Sequence, residues 1–382
     1  MSLRDTVYAS LPVALQNLAV SYEGWKIRRF RYSERFARAL AEAQSRAVLP
    51  YEKLAAYQNE RLIAFVKHAY STCPFYKRHF DQAGVDIAAF RGLADLSRLP
   101  VLEKSDLRAK TSEIRSTSPD HEAKAEVHTS GTTGSPITIG FTQADMAERM
   151  AYLFRMLGQF GVTNSTRSVR FSGRTIFTNA EKNKVFWRLN APSNQLFMSS
   201  YHLHPENLPF YVDKLISYQP EFLDAYPSSI YVLARFINQA GQSGKVRPKL
   251  IMTTAETLEP YQREEMGQAF PGAKIVNQYA SSEGAPFITE DPSGALVENI
   301  DTGVFEYVKP GTAEPVPDGE PGELLVTSFT THAYPLIRYR IGDTVTPLRG
   351  QRGKHWDMPL VAEILGRQED LLFTPYRGYV GR

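Results

Sequence analysis

Leu250-Ile251-Met252-Thr253-Thr254 is a run of apolar and β-branched residues that predicts a buried strand. A helix pattern follows between Pro260 and Phe270, and Lys274-Ile275-Val276 begins a second strand-like run. Strand, helix and strand in this order indicate a βαβ unit and a parallel sheet. We therefore expect an α/β protein in which mixed and parallel sheets are flanked by helices.

Upstream of this unit, two glycines surround consecutive hydroxyl residues in Thr129-Ser130-Gly131-Thr132-Thr133-Gly134-Ser135-Pro136. Glycine accepts positive φ at little cost, so successive N–H groups can form a concave anion-binding nest, to which the hydroxyls add donors. Strand-like residues stand on both sides, Glu126–His128 before and Ile137–Phe141 after. The pattern predicts a strand–loop–strand phosphate site, with a polar hairpin turn as the alternative. It lacks the Gly-Lys-Ser/Thr ending of a P-loop, which disfavours a kinase or GTPase.

Composition excludes several classes of function. A net charge of +3 is too small to indicate nucleic-acid binding, and the single Cys73 excludes a disulfide framework and a multi-cysteine zinc site. No apolar run reaches the length of a membrane span, so a cytoplasmic location is the default expectation. The basic, aromatic stretch Trp25–Leu40 is typical of a membrane-surface helix, but a docked helix with a solvated face is more common.

Two polar clusters follow predicted strands, where open α/β sheets bind ligands. The first is Thr254-Ala255-Glu256-Thr257, and the second runs from Asn277 to Gly284. In the second cluster Tyr279 could stack on a purine base, and Glu283 could hold Mg²⁺ against phosphate oxygens. An ordinary strand-to-loop exit is the alternative.

Two further motifs lie near the end of the chain. The run Pro335–Asp343 ends in Gly-Asp, and the Asp343 carboxylate could accept hydrogen bonds from both ribose hydroxyls, although Gly-Asp is also common in turns. Leu365–Asp370 places Arg367 beside two acids, which could equally be a surface salt-bridge cluster.

The order and spacing of these motifs resemble the adenylate-forming superfamily of acyl ligases, most closely its phenylacetate–CoA ligase branch with relatives in capsular polysaccharide biosynthesis. The resemblance extends from about Tyr51 to the end of the chain. The supporting phrases are His128–Pro136, Tyr226–Ser229, Ala255-Glu256 and Tyr334–Asp343.

The resemblance implies a two-step reaction with ATP, Mg²⁺ and coenzyme A. A substrate carboxylate attacks the α-phosphate, giving an acyl-adenylate and pyrophosphate, and a thiol then displaces AMP. The residues it assigns to phosphate are Ser130, Gly131, Thr132, Thr133 and Gly134. Those it assigns to adenine, the α-phosphate and ribose are Ala255, Glu256, Tyr279, Ala280, Ser281, Ser282, Asp343 and Arg367. Glu283 is the implied magnesium ligand, and Thr132, Glu283 and Arg367 are the implied catalytic residues.

The resemblance also implies a division of the chain. We expect a helical N-terminal region packed on the core (1–100), an α/β nucleotide-binding core (101–302), a small β-barrel-like subdomain (303–365), and a hinge that starts a C-terminal lid (366–382). The lid of family members carries a catalytic lysine. We expect this chain to lack most of the lid, and therefore to bind ATP or AMP, to adenylate slowly and to lack a complete thiol-transfer site. Two departures from the family pattern are Ser135, where many relatives have lysine, and Ala280, where glycine is usual.

Three interpretations stay open from the sequence. The first is transfer of an activated small-molecule carboxylic acid to coenzyme A. The second keeps adenylation but transfers the acyl group to an amine, such as an amino sugar or amino acid, and the third is a non-catalytic nucleotide-binding module. Nucleic acid is not expected as a partner, a membrane surface is not favoured, and a homodimer is left open.

Overall fold

The chain is organised as two compact units, each assembled from two separate stretches. The computed structural model describes residues 3–128, 137–173, 176–367, 371–374 and 378–381. The first unit comprises Met1–Tyr32 and Met156–Gln278, and the second comprises Ser33–Arg155 and Tyr279–Arg382. The four regions expected from the sequence are linear segments, and their boundaries stay a prediction.

The helices of the described residues are α1 (Leu3–Ser10), α2 (Val13–Arg31), α3 (Glu34–Ala47), α4 (Tyr51–Thr72), α5 (Pro74–Gln82), α6 (Lys104–Ala109), α7 (Thr111–Ile114), α8 (Gln143–Gly158), α9 (Ala180–Asn183), α10 (Leu208–Tyr218), α11 (Pro227–Gln239) and α12 (Pro260–Ala269). The strands are β1 (Ala125–His128), β2 (Thr138–Phe141), β3 (Ser168–Ser172), β4 (Trp187–Asn190), β5 (Gln195–Ser199), β6 (Phe222–Ala225), β7 (Leu250–Thr254), β8 (Lys274–Tyr279), β9 (Ile288–Glu290), β10 (Leu296–Glu298), β11 (Gly303–Val308), β12 (Gly322–Ser328), β13 (Tyr339–Arg352), β14 (Pro359–Arg367), β15 (Leu371–Thr374) and β16 (Gly378–Gly381).

The first unit contains the predicted parallel sheet. Its strands lie in the order β4-β5-β3-β6-β7-β8, and every neighbouring pair is parallel except β4 and β5. In the predicted βαβ unit, Ile251 of β7 pairs with Ile275 of β8, and α12 connects the two strands. Leu233 of α11 and Met266 of α12 are fully buried in the same apolar cluster as Ile251. The βαβ prediction is confirmed.

Polar contacts attach α2 to the edge strand of this sheet. Asn17 accepts a hydrogen bond from the Leu189 backbone N–H at 3.0 Å, and Ser21 donates to the Leu189 carbonyl at 3.1 Å. Gly24 is required here, because a Cβ on it would lie 1.9 Å from the Asn190 side-chain oxygen. The sequence predicted one helical stretch over Trp25–Leu40, whereas α2 ends at Arg31 and α3 begins at Glu34.

The second unit contains an antiparallel sheet and a separate hairpin. The sheet strands lie in the order β9-β10-β14-β13-β12-β11, while β1 pairs with β2. The sequence after Gly303 predicts three short strands, Val304–Val308, Gly322–Ser328 and Tyr334–Val345. All three are present, except that the last begins at Tyr339 and not at Tyr334. Pro335 cannot donate a ladder hydrogen bond, and Arg338 has a left-handed φ of 48°, so the chain cannot pair regularly before Tyr339.

These sheets and their helices confirm the expected α/β fold class. Within the described residues, no helix is both long enough and apolar enough to cross a lipid bilayer.

Candidate active site

The β1–β2 hairpin frames the predicted phosphate loop. Its strands are antiparallel, with His128 opposite Thr138, so the two flanking strands expected from the sequence are present. The loop residues themselves lie outside the described residues, and their contacts to phosphate stay predictions: Ser130, Gly131, Thr132, Thr133 and Gly134.

A capping box starts α8 immediately after the hairpin. The Thr142 N–H donates to Asp145 Oδ2 at 3.0 Å, and the Asp145 N–H donates to Thr142 Oγ1 at 2.9 Å. His332 Nδ1 lies 2.6 Å from Asp145 Oδ1. Burial by itself raises the pKa of Asp145, but the hydrogen bonds from His332 and Thr142 outweigh burial and hold the pKa below its usual range. The sequence itself predicts this box, because Thr142 and Asp145 have capping-box spacing at the start of a helix pattern, and the prediction is confirmed.

The second unit brings Tyr279 and Asp343 into direct contact. Tyr279, the last residue of β8, donates its hydroxyl hydrogen to Asp343 Oδ2 at 2.7 Å. Burial raises the pKa of Tyr279 well above its ordinary value, and Asp343 raises it further. Burial also raises the pKa of Asp343, while the Tyr279 hydroxyl, Arg367 and Lys104 lower it. The predicted adenine-stacking tyrosine and the predicted ribose carboxylate are therefore neighbours.

Arg367 approaches the same carboxylate from the adjacent strand. Asp343 on β13 and Arg367 on β14 are register partners, and the Arg367 Nε lies 3.8 Å from Asp343 Oδ1. Gly342, just before the aspartate, has a φ of +82°, and a Cβ on it would lie 3.0 Å from the Lys104 ammonium. The Arg367 guanidinium, the Asp343 carboxylate and the Tyr279 phenol therefore lie next to one another in the second unit.

Glu283 lies near this group. Its side chain is buried, and its charge raises the pKa values of both Tyr279 and Asp343. In the described part of the chain, no residue hydrogen-bonds to the Glu283 carboxylate or pairs with it. A buried carboxylate without a cationic partner is costly, and a divalent cation is a suitable partner for it. Glu283 is therefore available as a single carboxylate ligand. The described residues contain no group of three or more His, Cys, Asp or Glu side chains that could hold a metal ion, so magnesium binding stays a prediction.

The residues between Tyr279 and Glu283 form the exit from β8. Ala280 avoids positive φ and packs against Tyr152 and Phe287, so alanine fits where the family usually has glycine. Ser281 accepts the Ala285 N–H through its hydroxyl at 3.1 Å. Ser282 is exposed, as a ligand-contacting side chain would be.

Tyr339 was not singled out by the sequence analysis. It is completely buried, and within the described residues its hydroxyl has no hydrogen-bond partner. Burial raises its pKa, and so do the charges of Glu283 and Asp343, whereas Arg367 lowers it. A buried, unpaired hydroxyl usually has a ligand or water as its partner, so Tyr339 joins the candidate site. No local pattern indicates this, because the environment of the hydroxyl depends on residues distant in sequence.

The two arginines of that run have structural roles. Arg338 donates to both oxygens of Glu306 and to the Leu99 carbonyl. Arg340 donates to Glu103 and Glu323. Both guanidinium groups are therefore occupied by protein partners, which leaves Tyr339 and Asp343 as the candidate site residues of the run.

Ala255 and Glu256 belong to the first unit. Glu256 accepts hydrogen bonds from the backbone N–H and the hydroxyl of Ser228, both at 2.9 Å, so its carboxylate caps the start of α11. This contact explains why Tyr226–Ser229 and Ala255-Glu256 occur together. Ala255 has a φ of 69°, an uncommon conformation for a residue with a Cβ. The assignment of Ala255 and Glu256 to the adenine pocket stays a prediction.

The sequence also offers aromatic and polar candidates for an acyl pocket, and they are divided between the units: Phe171, Ser172, Tyr201, His202, Tyr226 and Ala285–Phe287. Phe171 and Ser172 are buried at the end of β3, while Tyr201 is exposed and His202 contacts the Ser199 hydroxyl. These four residues and Tyr226 belong to the first unit, whereas Ala285–Phe287 belongs to the second. Their role in substrate binding stays a prediction.

Comparison with known proteins identifies the family. The chain is 33% identical over 376 residues to Protein CapK of Staphylococcus aureus, which covers 98% of this chain and 80% of the relative. The chain belongs to the adenylate-forming superfamily, in its phenylacetate–CoA ligase-like branch. It is also 32% identical to a phenylacetate–coenzyme A ligase of Thermus thermophilus, over 77% of this chain and 66% of that protein. No protein-family model matches the chain.

A solved adenylate-forming enzyme shares the fold. The structure of 2-hydroxyisobutyryl-CoA ligase in an open conformation, with 2-HIB-AMP and CoA, matches with a TM-score of 0.68 at 20% identity. The match covers 86% of this chain and 72% of that chain. The family resemblance and the fold class inferred from the sequence are both confirmed.

Proposed function

We propose that this adenylate-forming chain activates a small-molecule carboxylic acid with ATP and transfers the acyl group to coenzyme A. It is an enzyme of the AMP-forming acid–CoA ligase type. The observation that carries the site assignment is the Tyr279–Asp343 hydrogen bond, with Arg367 and the unpaired Glu283 beside it. These side chains offer an aromatic face, a carboxylate acceptor, a cation and a carboxylate suited to a metal ion.

The first half-reaction joins two anions, so phosphate charge must be offset. A carboxylate oxygen attacks the α-phosphorus, the bond between the α-phosphorus and the bridging oxygen breaks, and pyrophosphate leaves. Tyr279 would hold adenine against its ring, and Asp343 would accept the ribose hydroxyls. Arg367 would neutralise charge near the α-phosphate, and Glu283 would hold Mg²⁺, which when bound supplies positive charge to the phosphate oxygens.

In the second half-reaction the thiol sulfur attacks the acyl carbon, and the carbon–oxygen bond to AMP breaks. The thiol proton is released, and AMP leaves as the nucleotide product. An amine acceptor would follow the same bond changes with nitrogen as the nucleophile. A cytoplasmic location and a homodimer stay predictions.

A panel of carboxylic acids tests the proposal. Purified protein is incubated with Mg·ATP and each acid, and AMP and pyrophosphate are measured by chromatography. We expect AMP release with one class of acid, abolished in an Asp343→Ala variant that retains its melting temperature. Comparing coenzyme A with amino acids and amino sugars then identifies the acceptor. Tight AMP binding without AMP formation from any acid would contradict the proposal and favour a nucleotide-binding module.

A further inference from the structure

Arg149 on α8 has a bonding pattern that the proposed reaction does not explain. Its guanidinium is buried, and Nη1 donates to the Gly284 carbonyl at 2.8 Å, the Ala285 carbonyl at 3.1 Å and the Thr330 hydroxyl at 3.0 Å. Among the residues with described positions, no carboxylate forms an ion pair with it. A buried arginine normally needs a counter-charge, so its use on backbone carbonyls requires an explanation.

Two aromatic rings compensate part of this charge. The Arg149 guanidinium carbon lies 5.6 Å from the ring centre of Phe141 and 4.9 Å from that of Phe287. Burial lowers the pKa of Arg149 to about 10, and Asp145 partly opposes this, so the group is still charged at neutral pH. The arginine is thus held as a cation between β2, which carries Phe141, and the segment that follows Glu283.

Close packing at Gly284 also places the segment after Glu283 against the β1–β2 hairpin. Gly284 has a φ of +97°, and a Cβ on it would lie 2.8 Å from both the Phe141 ring and Thr331 Cγ2. The Gly284 carbonyl also accepts a hydrogen bond from the Ser328 hydroxyl at 2.5 Å. The backbone directly after Glu283 is therefore restrained by close packing as well as by Arg149.

We propose that Arg149 is a positioning residue that holds the Glu283–Ala285 segment at a fixed place against the β1–β2 hairpin. Its link to metal binding rests on the proposed function, in which Glu283 holds Mg²⁺ and the hairpin carries the phosphate loop. One guanidinium nitrogen, Nη1, contacts two successive carbonyls and a hydroxyl, while the guanidinium also lies against the Phe141 and Phe287 rings, so a single side chain connects the segment to β2. Arg149 thereby sets the place of Glu283 without touching the substrate.

Hydrogen exchange tests the proposal without ATP, metal or acid. In Arg149→Gln we expect the amides of residues 281–287 to exchange about ten-fold faster than in the original protein, because local opening of the segment becomes easier. Arg149→Lys keeps the charge and should show a smaller increase. Unchanged exchange at 281–287 in both variants would overturn the proposal.

Arg188 provides the matched control. It is completely buried in the first unit and bonds the Gln16 side chain and the carbonyls of Val185, Trp187 and Thr178. Arg188→Gln should lower the melting temperature while leaving exchange at 281–287 unchanged. If it accelerated that segment as strongly as Arg149→Gln, general destabilisation would explain the effect and the proposal would be wrong. If Arg149→Gln does not fold, Arg149→Lys carries the comparison.

The magnesium requirement separates this inference from the proposed function. In Arg149→Gln, half-maximal AMP formation should require several-fold more Mg²⁺, while the KM for the carboxylic acid changes little. An unchanged magnesium requirement would contradict the link between Arg149 and Glu283. If the original protein formed no AMP at all, the proposed function would fail, and faster exchange in Arg149→Gln would still establish the positioning role.

Discussion

At the scale of the residue, the Tyr279 hydroxyl and the Tyr279 ring can be tested separately. Tyr279→Phe removes the donor to Asp343 but keeps the ring, so ATP affinity should stay within about three-fold. Tyr279→Ala removes the stacking surface as well and should weaken ATP binding by about 1–3 kcal/mol. Isothermal titration calorimetry with ATP or AMP measures both. Equal losses in the two variants would show that the hydroxyl, and not the ring, is the important group.

Asp343 should behave differently from Tyr279. In Asp343→Asn the ribose hydroxyls lose a charged acceptor, and hydrogen bonds to charged groups contribute about 1.5–3 kcal/mol. We therefore expect the Kd for AMP to rise by roughly ten-fold or more while the melting temperature changes little. The exposed Asp120→Asn is a suitable control. Unchanged AMP affinity in Asp343→Asn would exclude Asp343 from the ribose site.

Ala255 offers a test of backbone strain. Its φ of 69° is costly for any residue with a Cβ, so Ala255→Gly should be neutral or stabilise by up to about 1 kcal/mol. The same exchange at Ala234, which is buried inside α11, should destabilise by about 1 kcal/mol. Urea denaturation gives both free energies of unfolding. A clear loss of stability in Ala255→Gly would contradict the strain.

The sequence predicts the role of an individual residue only where that residue belongs to a motif of known chemistry. The motifs indicated Tyr279, Asp343 and Arg367, and the structure brings these three side chains together, while their roles stay predictions. Arg149 and Tyr339 were not found, because a buried cation bonded to carbonyls and an unpaired buried hydroxyl depend on residues distant in sequence. The bonds from Ser228 to the Glu256 carboxylate were hidden for the same reason.

At the scale of the element, Glu298 at the end of β10 makes stability depend on pH. Burial raises its pKa to about 7, although the Tyr307 hydroxyl, Arg349 and Arg352 lower it. Because the folded pKa lies above the unfolded one, this contribution to stability is complete below about pH 4.5 and is lost as pH rises through 7. Glu298→Gln should therefore be more stable than the original protein at pH 8, by up to about 3 kcal/mol.

The pH series contains its own control. At pH 4.5 the two proteins should have similar free energies of unfolding, because the native Glu298 is protonated there and resembles glutamine. The exposed Glu60→Gln should follow the original protein at every pH. An advantage of Glu298→Gln that is the same at pH 4.5 and pH 8 would show that titration of Glu298 is not its cause.

Most elements could be predicted because their signals are local. The apolar run of β7, the proline that starts α11 and the Thr142–Asp145 capping box all lie within one element or its first turn. The failures were at boundaries set by tertiary contacts. Arg338 adopts its left-handed conformation while its side chain reaches Glu306 and Leu99. No local sequence pattern predicts that conformation.

At the scale of the whole molecule, the first unit depends on a contact between distant parts of the chain. Gln16 on α2 accepts a hydrogen bond from Arg188 Nε at 2.7 Å, and Arg188 is fully buried. Gln16→Leu leaves a charged donor unpaired and should cost about 2–3 kcal/mol in free energy of unfolding. Urea denaturation measures the loss, with the exposed Gln268→Leu as control. Equal stabilities of the two variants would contradict this account.

The two-unit organisation could not be predicted from the sequence. Composition and periodicity describe neighbouring residues, so they do not indicate which distant stretches of the chain associate. Each observed unit instead combines stretches separated by more than a hundred residues, and these associations depend on contacts such as Gln16 with Arg188.

Because each unit combines two separate stretches of the chain, the two units are completed at different times during translation. The ribosome delivers the chain from its N-terminal end, so the first unit has all its strands once Gln278 has emerged. Residues 33–155 emerge earlier, yet the strands of their antiparallel sheet begin only at Ile288. A nascent chain therefore carries an unfinished second unit while the first is being synthesised, and we expect residues 33–155 to be exposed to aggregation during that time.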